Sequence, residues 1–208
     1  EKSYFSYGIE YLNNKVNSTA SLSNISNGSF SSIATRYPDD STWESLASYL
    51  TYKYKSSKDL IFHYGLRYSH IIINADLSAN NSFHNFPFSN ANLNTGALTG
   101  ALGLSWVQND TFQWKFNLTT AFRAPNIDDI GKIFDSAPGI VVVPNPDLKP
   151  EKSFGLELGS LISVNSKINF DFAVYYTHLY NSMIRSPFSM RVDSDDPSGS
   201  SIINQIIY

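Results

Sequence analysis

The sequence TFQWKFNLTTAFR, at residues 111–123, decides the fold. Its apolar side chains recur at every second position: Phe112, Trp114, Phe116, Leu118, Thr120 and Phe122. The intervening positions are polar or small: Gln113, Lys115, Asn117, Thr119, Ala121 and Arg123. Successive side chains of a β-strand point to opposite faces of a sheet, so this period of two predicts a strand with one apolar face and one face toward water.

The same alternation recurs on both sides of this segment. The strong copies are Leu60–Tyr68, Leu98–Trp106, Phe154–Ile162 and Ile168–Thr177; weaker copies are Tyr4–Leu12 and Leu46–Lys55, and a further strand starts at Ile202–Tyr208. No stretch approaches the ~18–20 consecutive apolar residues of a membrane helix. The chain is therefore predicted to be all-β. Because its first and last residues both read as strand interior, we expect it to be a segment of a larger domain.

Short and long connections between these strands alternate strictly. The short ones are Lys55–Lys58, Gln108–Asp110 and Asn165–Lys167, and the long ones are Asn13–Thr42, Ile71–Ala97, Ala124–Pro150 and Asn181–Ser201. Bacterial outer-membrane barrels have this asymmetry, with short periplasmic turns and long extracellular loops. The pattern favours an antiparallel up-and-down transmembrane β-barrel segment over a β-sandwich, whose long loops need not share one end.

Charged and aromatic residues fit the barrel. The charged strand residues Glu10, Lys53, Arg67, Lys115, Glu157 and Asp171 all fall on the polar face. A Lys or Arg in mid-bilayer costs about 2–4 kcal/mol, so this face must line a wet lumen. Aromatic residues lie near the short turns (Tyr52, Tyr54, Trp106, Phe112, Trp114) and near the long loops (Tyr68, Phe122, Tyr176, Tyr180). Two such groups predict aromatic girdles at the two membrane interfaces.

Composition excludes several other classes of protein. Charged residues make up 16% of the chain, against about 25% in a typical soluble protein. The net charge of −3 without a basic run argues against a nucleic-acid partner, and the absence of cysteine excludes disulfides and thiol catalysis. The four histidines (His63, His70, His84, His178) lack metal-site spacing, and no nucleophile elbow or phosphate loop occurs. We therefore expect no metal site, no cofactor and no enzymatic activity.

Two short segments carry a family resemblance. FRAPN at residues 122–126 and PNPDLKPEKS at residues 144–153 flank a long loop between two alternating strands. Together with residues 35–54 (TRYPDDSTWESLASYLTYKY) and 60–70 (LIFHYGLRYSH), they resemble the TonB-dependent outer-membrane receptors. The resemblance implies a barrel of about 22 strands with a plug domain in its lumen. Residues 1–208 would then be part of one barrel domain in the bacterial outer membrane, about a third of it, with the plug outside this chain.

The resemblance also implies a function and partners. A receptor of this kind imports a scarce, bulky small-molecule ligand, here expected to be a ferric siderophore or a similar iron chelate. Its partners would be outer-membrane lipid and a TonB-type energy-transducing complex that acts through the plug. In haem receptors that resemble this chain, a His that ligates the haem iron lies between the segments that correspond to FRAPN and PNPDLKPEKS, which we call the first and second box. Here no His, Tyr, Met or Cys lies between Asn126 and Pro144, so the sequence disfavours haem as the ligand. A passive outer-membrane channel and a soluble carbohydrate-binding β-sandwich remain the alternatives.

The first box also suggests local structure and candidate ligand-binding residues. Pro125 ends the strand by removing a ladder donor, and Asn126 is placed to cap a short helical turn with Asp128 and Asp129 in it. Arg123 is the last of the alternating polar residues of its strand, so its side chain is expected to face the lumen at the pore mouth. There it meets either an anionic ligand or one of the carboxylates Asp128, Asp129 and Glu157. Phe86 is a loop aromatic that packs on neighbouring loops or stacks on a ligand. The candidate ligand-binding residues are Arg123, Asn126, Asp128, Asp129, Glu157, Tyr175 and Phe86.

Overall fold

The computed structural model describes residues 2–84, 86–137, 140–165, 167–189 and 202–207. The strands are β1 (Ser3–Val16), β2 (Ser21–Ser23), β3 (Phe30–Ser32), β4 (Ser41–Lys55), β5 (Leu60–Asn74), β6 (Leu93–Val107), β7 (Phe112–Arg123), β8 (Phe134–Ala137), β9 (Ile140–Val143), β10 (Glu151–Asn165), β11 (Ile168–Tyr180), β12 (Ile184–Ser189) and β13 (Ile202–Ile207). The helices are α1 (Ser78–His84) and α2 (Ile127–Ile130). No helix within the described ranges is both long enough and apolar enough to span a membrane.

Seven long strands form one sheet in the order β1-β4-β5-β6-β7-β10-β11. Each pairs antiparallel with its neighbours, so the up-and-down order predicted from the sequence is confirmed. The sheet is not closed in this chain: among the described residues, β1 and β11 each pair on one side only. This architecture is an arc of barrel wall.

The strand register places the charged residues on one face. Directly paired residues lie on the same face of a sheet, and Glu10 pairs with Ala47, which in turn pairs with Ser69. Arg67, two residues from Ser69, reaches across β4 and donates to Glu10 at 2.6 Å. The same chain of pairs carries Lys53, Lys115, Glu157 and Asp171 onto this face. The prediction that these charged residues share one face is confirmed, and we call this face the lumen face.

The opposite face of the sheet is apolar and bare. Ile9 is 81% exposed, Val174 76%, Leu98 63% and Phe172 57%. A soluble sandwich would cover these side chains with a second sheet, so the sandwich alternative is wrong. Aromatic rings on this face stack near the short turns, as Phe112 and Trp114 do at 6.4 Å, in the position expected of an interfacial girdle.

The dry core lies at the end of the wall that carries the long loops. Its buried apolar side chains are those of Ile71, Ile73, Ala75, Leu77, Phe86, Ala91, Ile127, Ile130, Ile133, Val142, Val143 and Leu148; we call this set the loop core. Ile71 and Ile73 fall on the lumen side by register, because they pair with Ser45 and Trp43. The long loops are therefore packed over the inner rim of the wall.

Several boundaries differ from the sequence prediction. The connection predicted at Ile71–Ala97 is shorter, because β5 and β6 extend beyond their alternating stretches and α1 lies between them. The strand predicted at Ile202–Tyr208 exists as β13, but its place in the wall was wrong: it pairs with β12 and, in parallel, with β9. The loop predicted at Ala124–Pro150 is confirmed, since β7 ends at Arg123 and β10 begins at Glu151.

Candidate ligand site at the extracellular mouth

Helix α2 begins with the cap expected from the sequence. The Asn126 side chain accepts a hydrogen bond from the Asp129 backbone N–H at 2.9 Å, and the Asp129 carboxylate accepts one from the Asn126 N–H at 3.1 Å. This reciprocal pair satisfies two donors that a helix start otherwise leaves open. Pro125, which precedes the cap, is fully buried. The FRAPN segment therefore ends strand β7 and determines where the loop leaves the sheet.

The short helix directs its carboxylates away from the loop core. Ile127 and Ile130 are 6% and 0% exposed and pack into that core. The intervening Asp128 and Asp129 lie on the other side of the turn, where each meets a different cation. Burial of the two isoleucines thus determines the positions of both acids.

Arg123 is held between two carboxylates. Its Nη2 lies 2.7 Å from Asp129 Oδ2 and its Nη1 2.9 Å from Glu151 Oε2. Glu151 also accepts a hydrogen bond from the Met183 backbone N–H at 2.8 Å. The expected pairing with Asp129 is confirmed, whereas Glu151 was missed by sequence reasoning; its register position opposite Arg123 is the signal that could have found it.

Asp128 joins the helix to the first long loop. It accepts a hydrogen bond from the Tyr37 hydroxyl at 2.6 Å and lies 3.0 Å from Lys132 Nζ. Burial raises the pKa of Asp128, but the hydrogen bonds from Tyr37 and Lys132 together outweigh it, so this pKa lies below its ordinary value. The hydrogen bond to Asp128 raises the pKa of Tyr37. Both groups are thus stabilised in their usual protonation states at neutral pH.

Backbone and amide contacts join three of the long loops into one unit. The Ile133 N–H donates to the Arg36 carbonyl at 2.9 Å. The buried Asn80 of α1 donates to the Thr35 carbonyl at 2.9 Å. Residues 35–37 therefore contact both neighbouring loops, and the mouth presents a folded surface.

A mainly apolar cavity lies on the inner rim beside α2. It has a volume of about 370 Å³ and is lined by Asn14, Val16, Tyr37, Trp43, Asn126, Ile127 and Asp128. By register, Asn14 and Trp43 form a directly opposed pair on the lumen side of β1 and β4. The indole Nε1 of Trp43 is buried without a hydrogen-bond partner among the described residues. We call this space the rim cavity.

The sequence-predicted site residues fall into three places. Arg123, Asn126, Asp128 and Asp129 come together around α2. Glu157 and Tyr175 form a directly opposed pair lower in the lumen wall, where Glu157 accepts a hydrogen bond from Asn117 at 2.9 Å and Tyr175 is 75% exposed. They are not part of the rim cavity. Glu157, one of the three carboxylates expected as partners of Arg123, instead accepts the hydrogen bond from Asn117.

Phe86 packs among neighbouring loop aromatics, which is the first of the two roles expected of it. It is 6% exposed and lies between His84 and Phe88, with ring centroids 5.4 Å from each. Sequence reasoning missed Tyr37 and Trp43 as cavity residues. The signal available was two aromatics immediately before an alternating strand, in a stretch that already carried the family resemblance. Within the described ranges, no three His, Asp or Glu side chains are grouped as a metal site.

A polar, charged inner face, a bare apolar outer face and a folded loop cap at one end define the class: this is wall from a transmembrane β-barrel. The sequence matches the family described as TonB dependent receptor-like, beta-barrel, over residues 2–201, and the chain belongs to that family. No curated protein matches the chain.

Solved structures with the same fold are distant in sequence. The copper transporter OprC is 14% identical with a TM-score of 0.72, over 100% of this chain and 30% of its own. A Serratia marcescens hemophore receptor HasR, in complex with its hemophore HasA and heme, is 14% identical with a TM-score of 0.74, over 99% and 34%. The ferric yersiniabactin uptake receptor FyuA from Yersinia pestis is 16% identical with a TM-score of 0.54, over 88% and 27%. The chain thus spans about a third of the length of these proteins.

Proposed function

We propose that this chain forms wall and extracellular loops of a receptor that imports a scarce, bulky ligand across a bacterial outer membrane, with a ferric siderophore or similar iron chelate as the cargo. Residues 1–208 then belong to one barrel domain, and energy from a TonB-type complex reaches the ligand through a plug outside this chain. Membership of the TonB-dependent receptor family carries the proposal.

The folded mouth supports a receptor over a passive channel. A receptor needs an ordered surface for its ligand, and here hydrogen bonds of Ile133 to Arg36 and of Asn80 to Thr35 join three loops into one packed unit. The rim cavity lies within this unit and is of the size of a small-molecule subsite. Solved structures described as a copper transporter, a hemophore receptor and a ferric yersiniabactin uptake receptor share the fold at 14–16% identity, which leaves the cargo to experiment.

Growth and uptake measurements test this function. Cells that lack the full gene should lose growth on a ferric chelate supplied as the sole iron source, and should lose accumulation of radiolabelled iron from it. Dissipating the proton gradient should abolish uptake while leaving binding at the cell surface intact. Uptake that persists without the gradient would instead identify a passive channel.

A further inference from the structure

We infer that the rim cavity binds the apolar part of a neutral or positively charged chelate, and that this mouth discriminates against anionic chelates. The inference deepens the proposed function and rests on it. It combines the charge of the extracellular segments, the pairing of the cations around α2 and the lining of the cavity.

The extracellular segments carry the negative charge of the chain. Residues 13–44, 71–97, 123–152 and 181–189 contain nine Asp and Glu against seven Lys and Arg, a net charge of −2. Residues 1–12, 45–70, 98–122 and 153–180, which form the strands and short turns, carry +1. A mouth lined by one sign of charge raises the local concentration of ligands of the opposite sign and repels those of the same sign. This segment of the mouth therefore repels an anionic chelate on approach.

Two cations beside α2 are already paired. Arg123 lies between Asp129 and Glu151. Lys132 pairs with Asp128, and its side chain is only 10% exposed. An anionic ligand would therefore compete with Asp128, Asp129 and Glu151 for these cations, which reduces what it gains from either one.

The cavity lining suits an uncharged group. Val16, Trp43, Tyr37 and Ile127 supply apolar and aromatic surface, and about 370 Å³ accommodates one arm of a chelate rather than a whole one. Trp43 contributes its ring to this lining, and its indole nitrogen is buried.

Binding to the full-length receptor, purified in detergent, tests the inference with two probes. One is a neutral ferric trihydroxamate and the other a trianionic ferric tris-catecholate. We expect the neutral probe to bind at least about tenfold more tightly, a difference of roughly 1.4 kcal/mol. Tighter binding of the trianionic probe would overturn the inference and leave the proposed iron-chelate receptor standing. If neither probe binds and no ferric chelate supports growth, the proposed function fails as well.

Two variants locate the site. Val16→Phe fills the cavity and should lower the affinity for the neutral probe about tenfold. Val164→Phe, at a 59% exposed position near a short turn, should leave this affinity unchanged. Trp43→Ala removes ring surface from the cavity wall and should weaken binding of the neutral probe about threefold, against no change for Trp106→Ala on the outer face. Retained heat-modifiable migration shows that each variant is folded. Folded Val16→Phe receptor with unaltered affinity would remove the rim cavity as the site.

Discussion

The Arg123 guanidinium lies 2.9 Å from the Glu151 carboxylate, across the first rung of the ladder between β7 and β10. Arg123 belongs to the FRAPN segment and Glu151 to the PNPDLKPEKS segment. The 27-residue loop 124–150 connects these two residues. Asp129 binds the same guanidinium at 2.7 Å. The two boxes that reveal the family in the sequence are therefore brought together by one cation.

Arg123→Ala should open this loop without unfolding the wall. The arginine side chain is 51% exposed, so each of its ion pairs contributes only about 1 kcal/mol or less, but both act at the loop base. We expect faster tryptic cleavage after Lys132, the basic residue of the 124–150 loop that is not followed by proline, in the full-length receptor. Lys15→Ala, which removes an exposed ion pair with Asp40, is the matched control and should leave cleavage unchanged. Equal protection in both variants would show that the clamp does not hold the loop.

A charge placed on the two faces of β6 should have opposite consequences. Leu102 is 48% exposed on the outer face, and its neighbour Ala101 faces the lumen. Leu102→Arg should cost the full-length receptor about 2–4 kcal/mol in lipid, because the charge enters the hydrocarbon. Ala101→Arg should cost clearly less. Urea unfolding of both variants in lipid vesicles measures the difference, and similar losses would contradict the assigned facing.

The wall and one loop could be predicted from sequence because both follow from local rules. Alternation of side chains fixes which residues share a face whatever the neighbouring strand is, so the facing of Lys115 and Asp171 was correct. The bounds of the 124–150 loop were correct because Pro125 and Pro150 end the pairing on either side.

The remaining features depend on tertiary contacts that no local pattern encodes. Phe86 is a loop aromatic by sequence, and only its packing against Phe88 and the loop core shows that it is buried. Ile202–Ile207 has the composition of a strand, but its pairing could not be predicted from that composition. One partner, β9, lies about 60 residues earlier in the sequence, and the other, β12, has no alternating pattern that marks it as a strand. The rim cavity requires Val16, Trp43 and Ile127, which three separate segments supply.

Acid should loosen the contact between α2 and the first loop. Since the pKa of Asp128 is lowered in the folded protein, its ionisation contributes stability above the unfolded pKa of about 3.9, and this is lost as the pH falls through the folded pKa. The pKa of Tyr37 is raised, so its contribution is present below about pH 10 and is lost as the pH rises through the folded pKa. Trp43 fluorescence, obtained as the difference from Trp43→Phe, should be flat between these limits and change at both ends. Asp128→Asn should remove the acid transition, and an unchanged acid transition would assign it to another group.

The cap of α2 should be replaceable only by residues that keep an acceptor. Asn126→Ala removes the oxygen that receives the Asp129 N–H and should cost about 1 kcal/mol locally, whereas Asn126→Asp or Asn126→Ser should largely retain the turn. Amide hydrogen exchange at residues 127–133 measures the effect directly. Protection that is equal in the alanine and serine variants would mean that burial of Ile127 and Ile130 alone positions Asp128.

Residues 1–208 expressed alone should aggregate in plain buffer and fold only with detergent or lipid. β1 and β11 each present an unpaired edge in this chain, and the outer face exposes side chains such as Ile9 and Val174. Open edges pair with other copies, and a bare apolar sheet face of this extent associates in water. Sedimentation and β-sheet circular dichroism, with and without detergent, measure both properties. Lysine at Ile9 and Val174 should reduce association in buffer, and the same changes at the lumen-facing Ser6 and Ala173 should not. A monomeric, folded species in buffer would require the outer residues to be enclosed, which is incompatible with the facing that Glu10 and Arg67 define.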